Sequence, residues 1–168
     1  MSKEKSLILS IRQIEQKLMR MAHEIHENNY KEKEIVLVGI IGHGSKVADR
    51  LAELLRSITD IKVTLGYIEM SKDKPLSEEI KFSGELKDIK GKSVILVDDV
   101  LNSGRTLIYA AKHLLNTEPK ILATATLIER SHRKFPIHAD FVGLTLSTNM
   151  KEHVAVEMED GKEAVYLL

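Results

Sequence analysis

Two adjacent carboxylates at the end of an apolar run, followed three residues on by small and hydroxylic side chains, are the arrangement in this sequence best suited to chemistry. The run is Val94-Ile95-Leu96-Val97, the acids are Asp98 and Asp99, and the cluster is Asn102-Ser103-Gly104-Arg105-Thr106. Two anions on one strand end repel, and burying them without partners is costly. They make sense where they accept hydrogen bonds from hydroxyls or lie near a cation. Gly104 lets a ligand approach the backbone, and Ser103 and Thr106 offer hydroxyls. The first N–H groups of a helix beginning near Thr106 add partial positive charge. Carboxylates for a diol, with a donor-rich cup for a phosphate beside them, match a ribose 5-phosphate. An acidic turn after a buried strand would account for Asp98-Asp99 alone, but not for the whole pattern. The Gly-x4-Gly-Lys-Ser/Thr spacing of a Walker loop is absent.

The elements that must position this segment are legible in the hydrophobic period. Ile11, Ile14, Leu18, Met21, Ala22 and Ile25 recur at helical spacing over 10–29, and Ser10 with Gln13 fits a capping box. Ile35–Ile41 is a short β-branched run, as in a strand covered on both faces. Gly42-His43-Gly44-Ser45 ends it, and a second helix follows with Val47, Ala48, Leu51, Leu54, Leu55 and Ile58 on one side. Ile61–Met70, Val94–Val97 and Ile121–Ile128 read as further strands, with a helix over 106–115. Shorter strand-like pieces lie near 141–144, 154–156 and 164–168. Residues 71–85, polar and containing Pro75 and Gly84, suggest a mobile loop or irregular hairpin. Alternating strands and helices imply an α/β fold with a mainly parallel sheet, whose ligands bind outside the carboxyl ends of the strands.

Composition narrows the class. A chain of 168 residues fits one domain, 1–168. Its 25 basic and 25 acidic side chains cancel, which removes the global field that draws a protein onto polyanions or anionic lipid. There is no cysteine, hence no disulfide, thiolate nucleophile or cysteine-ligated zinc. The charged start, Met1 to Lys5, opens no signal-peptide pattern, and no run reaches the ~20 apolar residues of a membrane span. A cytoplasmic protein with no membrane partner is expected. His23 and His26 lie three apart on the first helix but lack further metal ligands in sequence, and His113 and His153 have no assigned role.

Residues 94–106 resemble the phosphoribosyl-pyrophosphate (PRPP) motif of type I phosphoribosyltransferases. The likeness extends over nearly the whole chain, through Met21-Ala22-His23-Glu24, Leu37-Val38-Gly39-Ile40, Leu51-Ala52-Glu53, Val63-Thr64-Leu65-Gly66 and His132–Asp140, all in order. These flanking matches resemble a branch that joins uracil transfer to attenuation of pyrimidine genes. The resemblance implies a central parallel sheet flanked by helices with a small hood, expected at about 129–140. It implies transfer of ribosyl 5-phosphate from PRPP to a nucleobase, with Mg²⁺ as cofactor and a homodimer or higher homo-oligomer as the assembly. Asp98 and Asp99 would hold the ribose hydroxyls, directly or through the hydration shell of Mg²⁺. Asn102, Ser103, Gly104, Arg105 and Thr106 would hold the 5-phosphate. Gly42, His43 and Gly44 match the pyrophosphate loop, although the residues alone fit a plain strand-to-helix turn equally well. Arg130 and Arg133 fall in the base-reading hood, where surface charge is the alternative.

Several positions depart from the family pattern. Purine-salvage relatives carry an acid two residues after the pair, where this chain has Leu101, which favours a pyrimidine, uracil first. His43 stands where the branch carries arginine, and an imidazole holds an anion less firmly than a guanidinium. Lys72 and Lys74 are the obvious cations of the loop 71–85 to fold over pyrophosphate, with solvated loop charge as the alternative. Arg20, His23 and Arg133 match basic positions tied to RNA recognition, but His138 and Leu144 replace two cations, which argues against tight RNA binding. A PRPP- or nucleotide-sensing regulator with little catalysis is the second reading.

Overall fold

The computed structural model describes residues 4–168, and Met1, Ser2 and Lys3 of the charged start lie outside the described residues. Helix α1 (Ile11–Asn29) begins at the expected capping box, in which Ser10 Oγ accepts from the Gln13 N–H and Gln13 Oε1 accepts from the Ser10 N–H. Its buried stripe is Ile14, Leu18, Met21, Ala22 and Ile25. Each fully buried Ile, Leu or Met side chain contributes about 1.5–3 kcal/mol. Strand β2 (Glu34–Ile40) follows β1 (Ser6–Leu9) and leads through a tight turn into α2 (His43–Ile58). Only Ile41 and Gly42 separate the strand from the second helix, which starts earlier than the apolar period alone shows.

Strand β3 (Lys62–Glu69) returns as β4 (Lys81–Phe82), so 71–85 forms an irregular hairpin in which Ile68 pairs Phe82 and Glu69 pairs Lys81. A 3-10 turn at Leu86–Ile89 precedes β5 (Ser93–Leu101), α3 (Arg105–Leu114), β6 (Ile121–Arg130) and β7 (Phe141–Leu146). The six-stranded sheet has the order β4-β3-β2-β5-β6-β7, parallel except for β4. Side chains alternate across it with period two. Ile35, Leu37, Ile95 and Val97 pack with α1 and α2, while Val36, Val38, Val94 and Leu96 pack with α3.

Chain order reverses between β2 and β5: β3 lies to one side and β6 to the other. Such a switch point opens a crevice above the strand ends. The turns after β2 and β5, which carry the two glycine-containing segments, both rise there.

The hood is not built from 129–140. A second sheet, of order β1-β9-β8, is antiparallel and combines β1 with β8 (Val154–Glu157) and β9 (Ala164–Leu167). Its Leu9, Val154, Val156 and Val165 join the core formed by α1 and α2. Residues 131–140 instead connect β6 to β7 and pack behind the loop after β5.

Candidate active site

The crevice is a cleft of about 570 Å³, lined by His43, Lys72, Asp73, the segment 98–107 and residues 153–156. Strand β5 runs through both acids, yet their carboxyl groups come close enough together for one Lys72 ammonium to reach both. Asp98 is only 2% exposed, and Asp99 is half-buried. Asp98 Oδ1 accepts from the Asp99 N–H at 2.9 Å and from Lys72 Nζ at 3.1 Å. Lys72 Nζ also lies 3.6 Å from Asp99 Oδ1. Burial is the main force raising the Asp98 carboxyl to about 7; the neighbouring charge of Asp99 adds to it and Lys72 opposes it. Burial disfavours the Lys72 ammonium, but the two carboxylates outweigh it and hold its pKa above the ordinary value. The hairpin therefore reaches over the cleft and sets a cation between the two acids.

Gly104 makes the turn into α3. Its φ of +88° lies in the left-handed region, and a Cβ there would meet Ile137 Cγ2 at 2.6 Å. The first helical bond of α3 runs from the Ile108 N–H to Gly104 O at 3.0 Å, which leaves the Thr106 and Leu107 N–H groups free of helical acceptors. Ser103 Oγ accepts from the Arg105 N–H at 3.3 Å. Behind the turn, the Lys134 and Phe135 N–H groups donate to Ser103 O at 2.9 and 3.0 Å. The Phe135 ring lies 5.8 Å from the Arg105 guanidinium and edge-on to Tyr109. Segment 131–140 thus braces the cradle and does not line the cleft.

Across the crevice, Gly42 caps α2, whose first residues are His43 and Gly44. A Cβ on Gly44 would lie 2.5 Å from Asp98 Oδ1 and 3.0 Å from Asp98 Cα. Only glycine lets the start of α2 rest on the acid pair, and this contact joins the two turns into one site. His43 lines the cleft.

Other expected site residues are placed differently. Lys74 is exposed and outside the cleft lining; its N–H donates to Ser71 Oγ and its carbonyl accepts from Ser77. Arg133 donates to Glu129 Oε1 at 3.2 Å and contacts the His138 ring. Arg130 is 8% exposed and spends its guanidinium inside the protein, on Asn102 and on the segment after β7. Neither arginine lines the cleft: Arg130 ends β6 with its guanidinium turned inward, and Arg133 lies in the connection behind the loop after β5. Sequence reading passed over His153 and Val154–Val156, which form the far wall. The apolar run at 154–156 was visible, but its place beside the cleft depends on pairing with the chain's last strand.

Residues 5–160 match the model of the phosphoribosyl transferase domain. The chain belongs to the phosphoribosyltransferase family. This phosphoribosyltransferase is 37% identical over 182 aligned residues to the bifunctional protein PyrR of Pelotomaculum thermopropionicum, covering 100% of this chain and 98% of that one. It is 40% identical over 158 residues to PyrR of Enterococcus faecalis, covering 89% of each. Among solved structures, a hypoxanthine-guanine phosphoribosyltransferase from Bacillus anthracis superposes with a TM-score of 0.73 at 27% identity, covering 86% of this chain and 84% of that one. No helix among the described residues is long and apolar enough to cross a membrane.

Among the described residues no three His, Cys, Asp or Glu side chains converge as a metal cage. Asp98 and Asp99 nevertheless suit Mg²⁺, which takes one or two protein carboxylates and completes its shell with water and substrate phosphates. Lys72 Nζ already shows that a cation fits between them.

Proposed function

We propose that this phosphoribosyltransferase transfers ribosyl 5-phosphate from PRPP to a pyrimidine base, uracil first, with release of pyrophosphate. The observation that carries the choice of base is the free edge of β8. His153 and Leu168 exchange both backbone hydrogen bonds, at 3.0 and 2.8 Å. Bonded and non-bonded pairs alternate along an antiparallel ladder. Val154 and Val156, opposite Leu167 and Val165, therefore turn their N–H and C=O groups away from β9. As β8 is the outer strand and 153–156 line the cleft, the edge offers donor, acceptor, donor, acceptor in succession, and its first three groups suit an acceptor–donor–acceptor face. The O–NH–O face of uracil is the complement.

In this reading the Thr106 and Leu107 N–H groups, with Ser103 and Thr106 hydroxyls, hold the 5-phosphate, and Asn102 and Arg105 complete the cradle. Asp98 and Asp99 accept from the ribose hydroxyls. The start of α2, with Gly42, His43 and Gly44, receives pyrophosphate on its amides. When bound, Mg²⁺ would be held by Asp98 and Asp99 and would supply charge neutralisation to the leaving pyrophosphate. Bond breaking at C1 develops oxocarbenium character, so the site works by positioning and by stabilising the departing anion. Lys72 must leave the acid pair when substrate arrives, and its hairpin carries it toward pyrophosphate. The cytoplasm as location and a homodimer or higher homo-oligomer as assembly belong to the same proposal.

The second reading is a PRPP- or nucleotide-sensing regulator of pyrimidine genes with little catalysis. It is favoured by the identity to proteins named bifunctional. RNA as a partner is disfavoured by the engagement of Arg20 with Glu24, Val142 O and Gly143 O, and of Arg133 with Glu129. Pyrophosphate release from PRPP with uracil, hypoxanthine, guanine, xanthine and orotate separates the readings. Release with uracil foremost supports the transferase. PRPP binding by calorimetry, with no release from any of the five, selects the regulator.

A further inference from the structure

Arg130 is buried at the end of β6, yet among the described residues it has no carboxylate within salt-bridge reach. Its Nε and Nη2 donate to Thr148 Oγ1 at 2.9 and 2.7 Å, and Nη2 also donates to Glu152 O at 2.7 Å. Its Nη1 donates to Asn102 Oδ1 at 3.1 Å. One guanidinium thus joins the first residue of the phosphate cradle to the stretch 148–152, which runs directly into β8. His132 holds the same stretch by a ring-nitrogen contact to Thr148 O. A buried cation whose partners are all neutral is costly. The counter-charge it lacks is of the kind a phosphate brings to the cradle, one amide away through Asn102.

We propose that Arg130 is a positioning residue that couples the phosphate cradle to the base-reading edge. An anion in the cradle offsets the charge of Arg130 and fixes its fork, which holds 148–152 and so sets the register of Val154 and Val156 against the base. Filling the cradle then raises affinity for the base, although Arg130 touches neither ligand. This inference rests on the assignment of the cradle and of the β8 edge made above.

The two ends of the strut can be cut separately. Thr148→Ala removes the hydroxyl that takes two donors and leaves the Asn102 end intact, and Thr148→Ser restores it. Arg130→Lys keeps the charge but loses the fork. Uracil binding, with hypoxanthine as a second probe, is measured calorimetrically on the full chain with and without saturating ribose 5-phosphate. In the wild type the sugar phosphate tightens base binding by about tenfold, within the ordinary range of coupling between sites. In Thr148→Ala and Arg130→Lys the tightening falls to about twofold or less, while ribose 5-phosphate itself binds Thr148→Ala as it binds the wild type. Thr148→Ser recovers the coupling. Circular dichroism and thermal melting show whether each variant is folded, and the serine variant carries the comparison if the others are not. Full coupling in folded Thr148→Ala and Arg130→Lys overturns the strut, as does a wild type that binds the sugar phosphate without tightening for either base. Failure of the wild type to bind ribose 5-phosphate at all defeats the cradle itself, a distinct result.

Discussion

Gly44 gives the sharpest prediction, because one methyl group tests whether the two turns form a single site. A Cβ added there would stand 2.5 Å from Asp98 Oδ1 and 3.3 Å from Val97 O, where ordinary contact begins at 3.4 Å. The Asp98 carboxylate must give way by about 0.9 Å, and the backbone of β5 or α2 by about 0.4 Å. Overpacking of this kind costs about 1–3 kcal/mol, which lowers Tm by roughly 2–12 °C in a chain of this size. A displacement near 1 Å at reacting groups costs about 100-fold in rate. Gly44→Ala is therefore expected to lose about 100-fold in turnover with only a modest loss of stability. Gly161→Ala is the matched control. Its φ of +78° strains any other residue, nothing lies within 4 Å of the added carbon, and it is outside the cleft lining. It loses about 1–2 kcal/mol by backbone strain and keeps its turnover. The assay is pyrophosphate release beside a thermal melt. Gly44→Ala turnover within threefold of wild type would refute the contact between pyrophosphate turn and acid pair.

Three further outcomes are expected. Lys72→Ala loses about tenfold or more in turnover, since it removes the cation of the hairpin, whereas Lys74→Ala stays within about twofold; equal effects in the same assay would remove the distinction. Val156→Pro deletes an outward N–H and weakens base binding about tenfold without unfolding, while Ala155→Pro breaks the bond to β9 and lowers Tm; the reverse pattern in calorimetry and melting contradicts the edge assignment. Burial pushes the Glu34 carboxyl up, but Thr64 and Lys92, then Lys62, outweigh it and hold its pKa below the ordinary 4.5. An acid depressed in this way stabilises the fold above 4.5 and loses that contribution as pH falls through its lowered value. Glu34→Gln is thus expected to cost about 1 kcal/mol at pH 7, with the gap to wild type closing in urea melts run at progressively lower pH; a gap independent of pH would contradict the assignment.

Local pattern revealed much of this molecule because most of its elements bury a face of their own. The α1 capping box, the β2 and β5 runs and the α1 stripe from Ile14 to Ile25 stand as read, while Ile11, counted in that stripe, is exposed. What stayed hidden is what depends on distant pairing. Ser6–Leu9 is only four residues long and becomes a strand through Tyr166 and Leu167, at the other end of the chain. The hood is expected at 129–140 from the family resemblance alone, since the residues there read only as a charged connection. Its backbone bonds instead run to Ser103 O, so it braces the cradle from behind. Arg130 has the look of a ligand contact in sequence, and nothing local shows that Thr148 and Glu152 surround it. The ion pair of Lys72 with Asp98 spans 26 residues and could not be read from either segment alone.

The central claim is that residues 98–107 receive a phosphorylated sugar. Titration of isotope-labelled protein with ribose 5-phosphate, followed by amide NMR, tests it residue by residue. Saturable shifts centred on the Ser103–Leu107 amides, reduced by Asp98→Asn, are the predicted result. Saturable shifts elsewhere, with these amides unmoved, would contradict it.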